Sequence, residues 1–334
     1  MSLAVRSAAL LLSIASLASC AVNPRLDLRE IGTAGADVVE LDVPFHAQTD
    51  YQCGPASLAG VLAASGAATD LQTLTEQVYL PGRKGTLQVE LMTATRRAGR
   101  IPLELDPMPQ SLVAEIEAGR PVLVLQNLGT HHVPLWHYAV VTGFDRRANK
   151  LLLNSGIERG KSMSAPRFLR TWDWGGRWAM VALRPGELPA GADAAQFLES
   201  VSRFEAVAGH DAALPAWRAA ANRWPGHPGP DLAMGNGAYA AGDLQAAAGY
   251  FRKGLKRNPN DPVLANNLAS VLGEMGCPRR AEELLRRVAA DLGDDARWSK
   301  AIAATLAELA ARDSSEDGAC YMDADVHNEP VSMH

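Results

Sequence analysis

The sequence predicts an α+β domain followed by an all-α domain, and three observations predict it. Between Val38 and Arg184, short apolar and often β-branched runs alternate with amphipathic segments of helical period. Pro185-Gly186 and Leu188-Pro189-Ala190-Gly191 then break the chain. Beyond that break, alanine-rich helical periodicity continues to about Arg312 and repeats itself: Ala213, Ala247 and Ala281 stand 34 residues apart.

A chain of 334 residues has room for two domains, and 47% hydrophobic with 21% charged residues excludes wholesale disorder. The formal net charge is −5, from 32 Lys+Arg against 37 Asp+Glu. With no basic excess to neutralise a phosphate backbone, nucleic acid is a poor partner. The four cysteines, Cys20, Cys53, Cys277 and Cys320, form no CxxC pair, which argues against a disulfide scaffold and a structural zinc site. No glycine-rich phosphate loop occurs, and His131-His132 has no carboxylate or Cys at ligand spacing, so neither cofactor nor metal is expected.

Residues 1–19 read as an address rather than as structure. Arg6 precedes the apolar stretch Ala8–Leu17, which is too short to span a bilayer comfortably. The stretch closes with Leu17-Ala18-Ser19-Cys20, small residues before a thiol. This resembles the bacterial lipoprotein box. The resemblance implies cleavage before Cys20, acylation of its thiol and an envelope protein facing the periplasm. Several acyl chains anchor stably without a transmembrane helix. Ala21, rather than Asp, after the Cys implies the outer membrane under the usual sorting tendency. Residues 20–37, with Pro24, Gly32 and Gly35 and few large apolar groups, read as a tether.

Residues 38–187 form the first expected domain. Val38–Val43, Pro121–Leu125, His137–Phe144, Lys150–Asn154 and Arg177–Leu183 are expected strands. Ser57–Ala64, Leu71–Tyr79, Leu87–Ala98 and Ser111–Ala118 are expected helices. In Gln48-Thr49-Asp50-Tyr51-Gln52-Cys53-Gly54-Pro55, Pro55 suits a first helical turn, with Leu58, Val61 and Leu62 as the apolar stripe behind it. Cys53 is thereby placed at a helix N-terminus, where unpaired N–H groups and the helix dipole favour a thiolate. Gln48 lies close enough to aim its side-chain N–H at an oxyanion beside the sulfur, and Gly54 is expected to leave room for a substrate backbone.

A cysteine nucleophile needs a base, and the base needs an orienter. His137 starts an apolar strand that ends at Asp145. Arg146–Asn149 make a polar turn, and Lys150–Asn154 return. Folding this hairpin brings Asn154 near His137, to accept Nδ1–H and turn Nε2 toward Cys53, though the turn type leaves the register open by a pair or so. Asp145 competes as orienter but reads first as a turn residue. His46 is a secondary pocket candidate, and Trp172, Trp174 and Trp178 suit core packing or a groove wall.

These residues resemble the C39-like branch of papain-fold cysteine peptidases, which carry a Gln, then Cys-Gly-Pro, then a distant His-Tyr strand. The resemblance covers residues 38–184. It implies Gln48 for the oxyanion, Cys53 as nucleophile and His137 as base. Asn154-Ser155-Gly156 stands where the family usually has Asp-Pro, which removes a negative charge that would stabilise an imidazolium. The double-glycine leader specificity of transporter-borne relatives is not carried over.

Residues 194–312 form the second expected domain. Trp217, Phe251 and Leu285 follow the three alanines by four residues, Pro225 and Pro259 share a third position, and Gly242 and Gly276 a fourth. The series resembles tetratricopeptide repeats, which implies a binding surface for a peptide or protein partner. Cys277 and Cys320 are a possible pair in an oxidising compartment. Residues 313–334 are polar and without period. The chain is thus expected to be a papain-like α+β cysteine peptidase domain followed by an all-α tetratricopeptide-type domain, in a lipid-anchored envelope peptidase. The alternatives are a catalytically weak scaffold working through its repeats, or acyl transfer to an amine by the same residues.

Overall fold

The computed structural model describes residues 26–31, 35–47, 52–191, 193–292 and 296–311. The chain divides into two compact units between Gly209 and His210.

Among the described residues of the first unit seven strands form an antiparallel sheet, six of them in the order β2-β7-β3-β4-β5-β6. The strands are β1 (Val38–Glu40), β2 (Ile101–Glu104), β3 (Val122–Asn127), β4 (Trp136–Asp145), β5 (Lys150–Ser155), β6 (Glu158–Ser164) and β7 (Ala179–Leu183). β1 pairs with the distal end of the long β4. Helices α1 (Cys53–Ala64), α2 (Leu71–Val78) and α3 (Gln88–Arg97) precede β2, α4 (Pro109–Glu117) follows it, and α5 (Ala165–Asp173) links β6 to β7.

α1 packs on one sheet face. Leu58, Val61 and Leu62, each at most 2% exposed, close against Leu123, Leu125, Tyr138, Val140, Met180 and Ala182. Because side chains alternate along a strand, these even positions of β4 define the α1 face, and His137, Ala139 and Val141 belong to the other. On that other face Gln126 donates to Thr171 of α5 at 2.7 Å.

The two edge strands, β2 and β6, escape sequence patterning. β2 carries Pro102, and β6 reads Glu-Arg-Gly-Lys-Ser-Met-Ser, polar because an edge strand is solvated on one side. The segment expected to be a tether is docked from Leu26 onward. Leu26, Leu28 and Ile31 are buried, and Asn149 at the β4–β5 turn holds their backbone from both sides. It accepts from Leu28 N at 2.9 Å and donates to Leu26 O at 3.1 Å. Three apolar groups suffice to dock a short segment when its amides are met, which composition alone does not reveal.

α6 (Ala194–Ala208), counted by sequence with the helical array, falls in the first unit. Its stripe of Phe197, Leu198, Val201 and Phe204 is buried, and the helix lies on β2 and α3, with Gln196 donating to Glu104 O at 3.0 Å.

Among its described residues the second unit is all-helical: α7 (His210–Arg223), α8 (Gly229–Ala240), α9 (Leu244–Arg257), α10 (Pro262–Glu274), α11 (Pro278–Asp291) and α12 (Ala296–Ala310). Ala213, Ala247 and Ala281 are fully buried on α7, α9 and α11, with Trp217, Phe251 and Leu285 buried one turn on. Gly242 and Gly276 both adopt left-handed backbone (φ 78° and 75°), which turns each hairpin sharply at its shared register position. Asp261 caps α10 through Val263 N and Leu264 N, with Pro262 at the first turn. Cys277 is disulfide-bonded, and Cys320 lies outside the described residues.

Candidate active site

Cys53 is the first residue of α1, and Gln52 at the N-cap supplies no side-chain cap to the helix. Pro55 has no N–H, so the helix end presents the Cys53 and Gly54 amides with the positive pole of the dipole behind them. The thiol is free and half-buried. Across from it, β4 opens with Trp136, His137 and Tyr138. Cys53, Thr86, Trp136, His137, Tyr138 and Trp174 all line one cavity of roughly 1120 Å³.

His137 lies with Nε2 2.9 Å from Ser155 Oγ. Burial, and secondarily the charge of Lys161, lowers its pKa to about 4, so the imidazole is neutral at physiological pH. Among the described residues no hydrogen bond joins Cys53 to His137. Catalytic contacts are often loose before substrate arrives. Beside them Tyr138 donates from its hydroxyl to Thr86 O at 3.2 Å, and burial, more than the nearby Cys53, pushes its phenol pKa upward.

Asn154 is not brought to His137. Its Oδ1 accepts from Gly160 N at 3.1 Å and its Nδ2 donates to Val43 O at 3.4 Å, on the α1 side of the sheet. The cause is a β-bulge. The hairpin closes with Asp145 opposite Lys150 and Gly143 opposite Leu152, but Val141 then pairs with Leu153 and Val140 with Asn154, leaving Thr142 as an extra residue. An unbulged ladder would set Asn154 opposite Val141, on the His137 face. One inserted residue puts Ser155 there instead. The expectation that Nε2 faces the thiol changes with it, because Ser155 holds that nitrogen.

The other candidates separate clearly. Gln48 and Cys20 lie outside the described residues. Asp145 is the turn residue, accepting from Ala148 N at 2.9 Å. His46 does not line the cavity. Trp172 and Trp178 are core, joined by Trp172 Nε1 donating to Trp178 O, while Trp174 lines the cavity with the His131 ring 4.8 Å away. Gly54 does not open space for a substrate. A Cβ there would lie 2.7 Å from Thr86 Cβ, so the glycine admits the Thr86 loop against the helix end.

Residues 40–176 match the peptidase C39 like family. Residues 238–305 match the tetratricopeptide repeat family. Among solved structures the chain is similar to a double glycine motif protease from an AMS/PCAT transporter in complex with the leader peptide. That likeness has 20% identity and a TM-score of 0.35, over 43% of this chain and 93% of the other. It is also similar to the peptidase domain of Streptococcus ComA, a bi-functional ABC transporter involved in a quorum-sensing pathway. Here the identity is 24% and the TM-score 0.34, over 41% of this chain and 95% of that one. No curated protein matches the chain.

Sequence reasoning passed over two residues of this cavity and its surroundings, Ser155 and Thr86. Ser155 follows the expected orienter by one position, and no one-dimensional signal announces the bulge that selects it. Thr86 belongs to a loop with no motif of its own. Its Oγ1 is buried without a hydrogen-bond partner beside Gly54, the one clue being that a glycine at a helix N-terminus leaves room for a close neighbour.

Proposed function

We propose that this chain is a lipid-anchored cysteine peptidase of the cell envelope, whose helical repeats bind the substrate or a partner protein. The observation that carries the reading is a free cysteine at a helix N-terminus with no side-chain cap, sharing one cavity with a half-buried histidine inside the C39-like domain.

In this reading neutral His137 takes the Cys53 thiol proton, and the sulfur attacks the scissile carbonyl carbon to form a C–S bond. The Cys53 amide holds the oxyanion, with the Gln48 side chain assigned to it from sequence. Protonated His137 passes its proton to the leaving amine as the C–N bond breaks. Water then attacks the thioester, His137 accepts its proton, and the thiol and free acid are restored.

The anchor is read from residues 8–20. Five residues, 21–25, separate Cys20 from the docked Leu26, so acylation would hold Leu26 within about 22 Å of the bilayer. The disulfide at Cys277 supports an oxidising compartment.

Comparing new N-termini among envelope proteins of cells carrying the wild-type chain or Cys53→Ala tests the activity. A set produced only by the wild type is expected. Full rescue of the deletion phenotype by Cys53→Ala, with no such set, would overturn it. That outcome would favour a binding scaffold working through its repeats, a reading supported by the neutral hydroxyl, rather than carboxylate, beside His137.

A further inference from the structure

We infer that Ser155 is the positioning residue of His137: its hydroxyl accepts the Nε2–H and leaves Nδ1 bare for the Cys53 thiol proton. The catalytic consequence rests on the peptidase reading above, whereas the contact does not.

The geometry makes the choice. Ser155 Oγ is 2.9 Å from Nε2, and Asn154 spends both ends of its amide on Gly160 and Val43. Ser155 is 7% exposed, so bulk water does not readily replace it. A hydroxyl differs from a carboxylate in what it supports. Being neutral, it orients the ring while favouring an imidazolium far less than a carboxylate would. The surroundings agree with that role: the cation facing His137 is Lys161, and burial holds the ring neutral. The resting imidazole is then neutral and free to accept a proton as substrate is attacked.

Ring nitrogen NMR of the full chain in detergent, labelled at histidine and assigned with His137→Gln, reads the tautomer directly. The expected wild-type spectrum has Nε2 protonated and Nδ1 bare. Ser155→Ala is expected to give a mixture of tautomers, Ser155→Thr to restore one, and Asn154→Ala to leave the His137 signals in place. In parallel, iodoacetamide alkylation of Cys53 at pH 7 is expected to slow about tenfold in Ser155→Ala, the worth of one hydrogen bond, and to return within about twofold in Ser155→Thr. A wild-type proton on Nδ1, or His137 signals that respond to Asn154→Ala and not to Ser155→Ala, overturns the assignment. Should Ser155→Ala not fold, the wild-type tautomer and the Thr variant still decide it. A Ser155-dependent tautomer with no peptide cleavage would count against the peptidase reading alone. Cleavage indifferent to Ser155 would count against the positioning role alone.

Discussion

His137 and Ser155 meet across adjacent antiparallel strands, Nε2 to Oγ at 2.9 Å, because β4 carries one residue more than β5 between the turn and the site. The extra residue is Thr142, whose hydroxyl donates to Leu152 O at 3.3 Å and whose carbonyl accepts from Leu41 N at 2.8 Å. Backbone and side chain both hold the bulge in place. It decides which of two neighbouring polar residues faces the histidine.

The depressed His137 pKa has a signed consequence for stability. Between about pH 6.5, where the unfolded histidine titrates, and pH 4, where the folded one does, the unfolded state binds the extra proton. Stability is therefore full above pH 6.5, declines as pH falls toward 4, and gains no further slope from this group below that. Urea unfolding at pH 7, 6, 5 and 4 should show the wild type losing on the order of 2 kcal/mol more than His137→Gln across the window. Parallel curves for the two proteins would contradict the burial of the ring.

Gly54→Ala should impair the site more than the fold. The added methyl meets Thr86 at 2.7 Å, and the loop carrying Thr86 must move away from the helix end. A cost of about 1–3 kcal/mol is expected in thermal melts, as for other overpacked sites. Cys53 alkylation should change by more than a comparable alanine substitution at solvent-exposed Gly82 causes, since nothing stands within 4 Å of a Cβ there.

Leu28 and Asn149 should fail together. Leu28 is 1% exposed, and truncation to Ala should cost about 2–4 kcal/mol if the segment stays docked. Asn149→Ala removes both backbone bonds to residues 26–28 at a position with φ 52°, where Asn is favoured over Ala. Limited trypsin digestion, followed by mass spectrometry at Arg29, should find that bond resistant in the wild type and cut in either variant. Equal cutting in all three proteins would mean the segment is not held.

Trp136 is 56% exposed on the cavity wall, with Leu135 beside it 61% exposed. Large apolar groups left in water at a cavity mouth suit an apolar substrate side chain. Trp136→Ala should leave the melting temperature within about 1–2 °C of wild type, as a surface substitution does. For a cleaved peptide with a large apolar residue near the scissile bond, KM should rise several-fold with kcat little changed. A fall in kcat at constant KM would instead tie Trp136 to the chemistry.

The sequence by itself determined the elements whose pattern is strong and local. The helix that begins at Cys53 announced itself through Cys53-Gly54-Pro55 and the stripe behind it. The hairpin of His137 announced itself through an apolar run, a polar turn and a return. The helical unit was legible through a spacing of 34 that survives as three buried alanines on three helices. Edge strands β2 and β6 were not legible, since a strand solvated on one side carries no apolar period. The docking of Leu26, Leu28 and Ile31 was invisible too, because its partner, Asn149, lies more than a hundred residues away. The orienter was the most consequential of these. Side chains alternate with period two, so naming the residue that faces His137 requires the parity of the register, and a single bulge reverses that parity. The sequence offered Asn154 alone, and only the tertiary pairing of β4 with β5 put its neighbour Ser155 against His137 instead.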